Sequence, residues 1–370
     1  MHLLFYFYKH PMEGFLWTQT NLVSVIYGRS LNAGCCLKLY GIFCMKLLHA
    51  DAAAISRAAD VLRQGRLVAF PTETVYGLGA DATNPEAVAA IFKAKGRPAD
   101  HPLIVHIGQL ERLQDWAKDI PECAYRLAER FWPGPLTLIL NKRAAVSELL
   151  TGGQQTVGLR IPGHEVALQL LQAFAGGIAA PSANRFGRIS PTCARHVAEE
   201  LGDRVDIILD GGACRVGLES TIIDLSGKQP VLLRPGAISR QQIEALLQTN
   251  LLLMPQTEIR APGMLAVHYA PVTPALLCAG ERLVEMILQL TVEKQQKIGV
   301  LTCRQSLQEG RNVHCMHLAE QADAYAQALY DAMRQLDALH LDSILIELPP
   351  QTEAWQAVHD RLRKATVGEV

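Results

Sequence analysis

The sequence predicts an α/β protein of two domains, the first built on a twisted mixed sheet with packed helices and the second smaller. Three observations lead there. The chain has 370 residues, more than one ordinary core accommodates. Short apolar runs alternate with longer amphipathic segments, as strands and helices do in layered folds. In places two strand-like runs follow each other without a helix between them, which favours a mixed sheet over a purely parallel one.

The elements follow in order. Met45-Lys46-Leu47-Leu48-His49 leads into a helix-like segment. In 52–64, alanine and leucine recur at helical spacing until Gly65 stops the helix. Leu67-Val68-Ala69-Phe70, closed by Pro71, reads as a buried strand. Asn84-Pro85 opens a helix, with Asn as cap and Pro in the first turn, and Gly96 ends it. Strands are expected at 103–107, 136–140, 157–161, 178–180, 205–209, 220–225 and 231–234, and helices at 122–131, 164–175 and 192–201. Residues 246–275, with Pro255, Pro262, Pro271 and Pro274, read as an interdomain linker between a first domain over 45–245 and a second over 276–370. In the second, strands at 298–302 and 343–348 enclose a helix near 318–338, and a last helix runs near 353–364.

Residues 1–44 stand apart. They hold nine of the 22 aromatic residues and one acid, Glu13. They lack the basic start, apolar stretch and cleavage site of a secretory signal, and read as an upstream extension before a start at Met45.

Composition excludes several function classes. Apolar residues make up 49% and charged residues 19%, with a formal net charge of −1. No global field attracts nucleic acid or an anionic membrane, so any anion site must be a local cluster. No apolar run is long enough to span a bilayer. The nine cysteines are scattered and form no C-x-x-C pair, which fits reduced core residues of a cytoplasmic protein. His314, Cys315 and His317 read as strand residues rather than a metal site. There is no G-x-x-x-x-G-K-[ST], G-x-S-x-G or H-E-x-x-H. Gly77-Leu78-Gly79 is a weak dinucleotide match, because five residues separate it from the end of the preceding strand.

What remains is a set of polar clusters at strand ends, where open α/β sheets bind ligands. The first is Pro71-Thr72-Glu73-Thr74-Val75-Tyr76-Gly77. Lys93, Lys95 and Arg97 follow a helix, where Lys93 alone is explained by helix-end capping. His101 and His106 come next, the latter inside an apolar strand and readable as an ordinary core histidine. Arg160 interrupts a strand expected to be buried, so it demands an anion, whether a structural carboxylate or that of a ligand. Ala180-Pro181-Ser182-Ala183-Asn184, Ser190-Pro191-Thr192, Glu219-Ser220-Thr221 and Arg234-Pro235-Gly236 complete the set. Small hydroxyls with isolated Lys and Arg suit a polyanionic small molecule, Lys as a point charge and Arg as a fork.

Six of these segments, in order, resemble the YrdC-type synthase domain: Pro71 to Leu78, Lys95-Gly96-Arg97-Pro98, Pro102 to His106, Trp132 to Thr137, Pro181 to Asn184, and Glu219 to Ile222. Ala261-Pro262-Gly263-Met264 and His268-Tyr269-Ala270-Pro271 resemble the linker of its longer branch. The resemblance implies a YrdC-like domain followed by a Rossmann-like one. It also implies synthesis of L-threonylcarbamoyl-AMP and pyrophosphate from L-threonine, bicarbonate and Mg²⁺-ATP, supplying transferase proteins that install t6A in tRNA. By the same resemblance, threonine contacts Thr72, His106, Arg160, Ala180 and Ser220. The nucleotide contacts Lys95, Arg97, His101, Thr156, Ser182, Ser190, Arg234 and Tyr269, with Lys95 and Arg97 the catalytic charges and the linker a lid. Leu265-Ala266-Val267 stands where the family usually has basic residues, so linker charge contacts to phosphate are not expected. The competing readings are an RNA-binding cleft, disfavoured by the near-neutral charge, and a carbamoyl phosphate-using module, disfavoured by missing zinc-finger and acylphosphatase segments.

Overall fold

The computed structural model describes residues 46–253, 259–305, 307 and 309–370. The extension over 1–44 lies outside them. The first domain carries one mixed sheet of eleven strands: β1 (Leu47–His49), β2 (Val68–Phe70), β3 (Gly77–Asp81), β4 (Ile104–His106), β5 (Leu136–Asn141), β6 (Thr156–Arg160), β7 (Ile178–Ala179), β8 (Ile207–Asp210), β9 (Thr221–Asp224), β10 (Val231–Arg234) and β11 (Leu252–Leu253). Their spatial order is β1-β8-β2-β3-β7-β4-β6-β5-β9-β10-β11. The pairs β4–β6 and β5–β9 are parallel, while β3–β7, β4–β7 and β5–β6 are antiparallel.

Local chemistry sets the helix ends as expected. Asn84 Oδ1 accepts from the amides of Glu86 and Ala87, Pro85 opens helix Pro85–Lys95, and Gly96 closes it in the left-handed region. Three elements differ from the sequence reading. Leu47–His49 is an edge strand where none was expected, while the helix expected at 52–64 forms over Ala52–Arg63 with the Asp51 carboxylate capping Ala54 N. Gly77 and Gly79 lie inside β3, paired with β2, not at a strand-to-helix turn. The sheet also runs past residue 245: helix Arg240–Leu247 and β11 belong to it, with Leu251 buried, so the linker begins later than its prolines suggested.

The second domain has a four-stranded parallel sheet, β12 (Ala275–Cys278), β13 (Ile298–Thr302), β14 (Val313–His317) and β15 (Ser343–Glu347), in the order β12-β15-β13-β14. Its core does not stop at the domain boundary. Val75, Ile189 and Leu218 pack in the same apolar cluster as Leu329, Tyr330 and Trp355. Helix Ala322–Asp337 lies on the backbone at Gly217, where a Cβ would fall 2.5 Å from Gln327 Cα. Two ion pairs edge this seam, Arg188–Asp337 at 2.9 Å and Arg334–Glu200 at 3.2 Å, and His196 Nε2 lies 3.0 Å from Asp331 Oδ1.

His196 is buried, and burial followed by the nearby Arg334 guanidinium lowers its pKa to about 4, against the opposing pull of Asp331. The unfolded chain then binds a proton that the folded one refuses between pH 6.5 and about 4. Stability is full above that window and falls as pH drops through it. Acid titration of the urea midpoint should show this loss. His196→Gln should reduce its slope by roughly one proton, about 1.4 kcal/mol per pH unit.

Candidate active site

The polar clusters meet at one pocket on a face of the sheet. In β4 and β6, Ile104 pairs with Gly158 and His106 with Arg160, so alternation puts His106 and Arg160 side by side on the face that Ile104 shares. The loop after β2 brings Thr72 and Thr74, the segment after β7 brings Ala180 and Ser182, the entry to β9 brings Glu219 and Ser220, and the end of β10 brings Arg234. Pro262, Gly263, His268 and Tyr269 of the linker close the opening. The enclosed volume is about 50 Å³. Small-molecule sites usually offer roughly 300–1,000 Å³, so this is a shut form.

Arg160 has the structural carboxylate its burial required. Its Nη2 stands 2.6 Å from Glu73 Oε1, its Nη1 donates to Thr74 Oγ1 at 3.0 Å, and its Nε donates to Gly134 O at 3.1 Å. The contact with Glu73 is an ion pair out of hydrogen-bond alignment, which leaves Nη2 without an aligned acceptor. His106 Nδ1 and Tyr269 OH are likewise buried without partners. Buried unpaired polar atoms are few in folded proteins, and with Arg97 Nε and His268 Nδ1 five of them belong to residues lining this one pocket, which marks a place built for a ligand. Burial, then Arg160, pushes His106 well below the ordinary imidazole range, so it is neutral at pH 7.

Arg97 and Arg234 are buried differently. Arg97 Nη2 donates to Pro102 O at 3.0 Å. Arg234 donates to Ser220 O, Ser220 Oγ and Pro262 O, each within 3.1 Å. Neither donates to a carboxylate among the described residues. Burial lowers Arg97 only to about 10, so it stays charged. Two buried cations with neutral partners leave the pocket positive.

Of the predicted threonine residues, Thr72, His106, Arg160, Ala180 and Ser220 all line the pocket. Of the predicted nucleotide residues, Arg97, Ser182, Arg234 and Tyr269 line it, and Lys95, His101, Thr156 and Ser190 do not. Lys95 is 2% exposed, and its ammonium donates to the carbonyls of Ser182 and Asn184. Burial, then Arg97, lowers its pKa well below that of a free lysine. The sequence placed this charge on phosphate; in the shut form it anchors the Ser182 loop instead. Ser190 Oγ donates to Glu219 Oε1 at 2.5 Å. Thr156 sits at the far end of β6 from Arg160, four residues or roughly 13 Å away along the strand. His101 packs against Phe186 with ring centroids 5.3 Å apart. Leu265 and Val267 of the linker are exposed.

Sequence reasoning missed four contributors. Glu73 was legible as the acid in its loop, but not as the partner of Arg160. Gly263 packs under Tyr269, where a Cβ would come 2.1 Å from the phenol oxygen. Arg361 and Tyr330 reach Glu219 from the second domain, and nothing local signals that.

Fold and pocket together define an α/β protein with a small cationic pocket lined by buried arginines and hydroxyls. Residues 60–236 match the Sua5_yciO_yrdC family model, described as "Telomere recombination", and residues 238–367 match "Threonylcarbamoyl-AMP synthase, C-terminal domain". A threonylcarbamoyl-AMP synthase of Pyrococcus abyssi is 43% identical over 320 residues, covering 84% of this chain and 93% of that protein. One of Bacillus subtilis is 44% identical over 326 residues, covering 85% and 94%. The crystal structure of P. abyssi Sua5 complexed with L-threonine superposes with a TM-score of 0.81 at 41% identity, covering 88% of this chain and 98% of that one. The chain belongs to the threonylcarbamoyl-AMP synthase family.

Arg160→Ala should leave the Glu73 carboxylate buried and unpaired, destabilising the fold by about 3–5 kcal/mol in urea unfolding. Removing both with Arg160→Ala and Glu73→Ala should recover most of that loss.

Proposed function

We propose that this chain makes L-threonylcarbamoyl-AMP and pyrophosphate from L-threonine, bicarbonate and ATP, and that the product supplies the transferase proteins of tRNA t6A modification. The observation that carries this reading is the pair of buried guanidiniums, Arg97 and Arg234, with neutral acceptors only, in the pocket that also holds the Arg160 set. A polyanion beside a carboxylate satisfies both. Arg160, with its unaligned Nη2, takes the threonine carboxylate. Thr72, His106, Ala180 and Ser220 surround the rest of the amino acid.

The chemistry needs no protein nucleophile. The threonine amine adds to bicarbonate, losing water to give a carbamate. A carbamate oxygen attacks the α-phosphorus, the bond to the β-phosphate oxygen breaks, and pyrophosphate leaves. The protein's part is positioning and neutralisation of charge. Arg97 and Arg234 face the phosphates. Lys95 holds the Ser182 loop, and direct contact with phosphate requires it to release one carbonyl. Mg²⁺ supplies charge screening on the triphosphate. Glu73 and Glu219 are already paired with arginines, so neither would be free to hold the ion. His101, Thr156 and Ser190 join the nucleotide site once the linker lifts. Cytoplasmic residence fits the six free cysteines of the described residues. No described helix is long and apolar enough to cross a membrane.

The test is pyrophosphate release from protein, Mg²⁺-ATP and bicarbonate. It should depend on L-threonine, and activity without the amino acid would end the reading. Serine lacks one methyl group, so its kcat/KM should fall by about 10- to 200-fold. Lys95→Ala should lower turnover by on the order of 10²–10³. A rate within about a factor of two of the parent would remove Lys95 from the machinery.

A further inference from the structure

We propose that Arg361, carried by the last helix of the second domain, is a positioning residue for the synthase site and is the reason that domain is seated there. The inference rests on the function proposed above. Arg361 is fully buried and lies outside the pocket wall. Its Nε donates to Glu219 Oε2 at 2.7 Å, its Nη2 to Glu219 O at 3.2 Å, and its Nη1 to Pro235 O at 3.0 Å. Asp360 supplies a further carboxylate at 2.6 Å. One rigid fork therefore grips the residue before Ser220 and the residue after Arg234.

The Glu219 carboxylate extends the grip. It accepts from Ser190 Oγ at 2.5 Å and from Tyr330 OH at 3.1 Å. Tyr330 stacks on the linker's Tyr269 with centroids 5.9 Å apart, and Arg361 Cζ lies 5.4 Å from the centre of the Tyr269 ring. Ser220, Arg234, Ser190 and Tyr269 come from four separate segments, and Arg361, with Tyr330 beside it, fixes them relative to one another through Glu219, Pro235 and the Tyr269 ring. Docking alone does not require this. Arg188–Asp337, Arg334–Glu200 and His196–Asp331 already tie the domains together away from the pocket.

Arg361→Lys keeps the charge but loses the fork. It should raise the KM for L-threonine and its calorimetric Kd by about 10- to 100-fold, the scale on which a small misplacement of binding groups acts. Arg361→Met leaves Glu219 unpaired and can fail to fold, so R361M combined with E219Q, which removes both charges, carries the same measurement. Arg188→Met is the control for a purely structural link: it should lower the melting temperature and leave the threonine KM unchanged. Wild-type threonine affinity and KM in a folded Arg361→Lys or in the R361M/E219Q pair would overturn the role. Absence of threonine binding by the parent protein would instead overturn the proposed function, and this inference with it.

Discussion

Burial of guanidinium charge is the constraint on which the site depends. Arg97, Arg160, Arg234 and Arg361 are each less than 9% exposed. Taking such ions out of water costs several kcal/mol apiece unless partners replace the solvent. The protein replaces it in two ways. Arg160 and Arg361 face the carboxylates of Glu73 and Glu219, and these pairs brace the walls. Arg97 and Arg234 donate only to carbonyls and a hydroxyl, so no carboxylate is hydrogen-bonded to either where the walls meet. The paired arginines make the shape, and the unpaired ones make the field.

This division explains how a chain of net charge −1 can receive a polyanion. A diffuse basic surface would attract any nucleic acid and would be screened within about 10 Å at moderate salt. Charges inside a closed apolar frame are screened far less and act only on what enters. Glu219 shows how tightly the frame is tuned. Burial alone would raise its pKa, yet Arg361, Arg234 and the Ser190 hydroxyl bring it to about 2. It stays a carboxylate through the working range, and the grip on Ser190 and Arg361 does not loosen with pH.

Much of the fold was legible because the signals were local. Asn84-Pro85 with Gly96 marked a helix at both ends, and Val231–Arg234 read as a strand from its apolar run. The demand of Arg160 for an anion was legible from one charge in a buried strand. The identity of that anion was not, because Glu73 arrives from a loop 87 residues earlier, and sequence carries no distance. β3 was hidden because Gly77-Leu78-Gly79 lacks the branched residues that announce a strand, and only pairing with β2 and β7 gives it its form. The partners of Lys95 were hidden for a related reason. A lysine after a helix looks free for a ligand, and only tertiary packing brings the carbonyls of Ser182 and Asn184 to it.

The linker completes the logic because its closing residues carry no charge at neutral pH. Burial, then Glu219, holds Tyr269 as the phenol with a pKa of about 12, and burial chiefly lowers His268 to about 3. Charge at those positions would be expensive to bury, because the pocket they line leaves only about 50 Å³. Neutral side chains at the opening therefore cover the pocket without altering its charge. The charge inside the pocket is then set by its buried arginines, and the linker residues that cover it add none of their own.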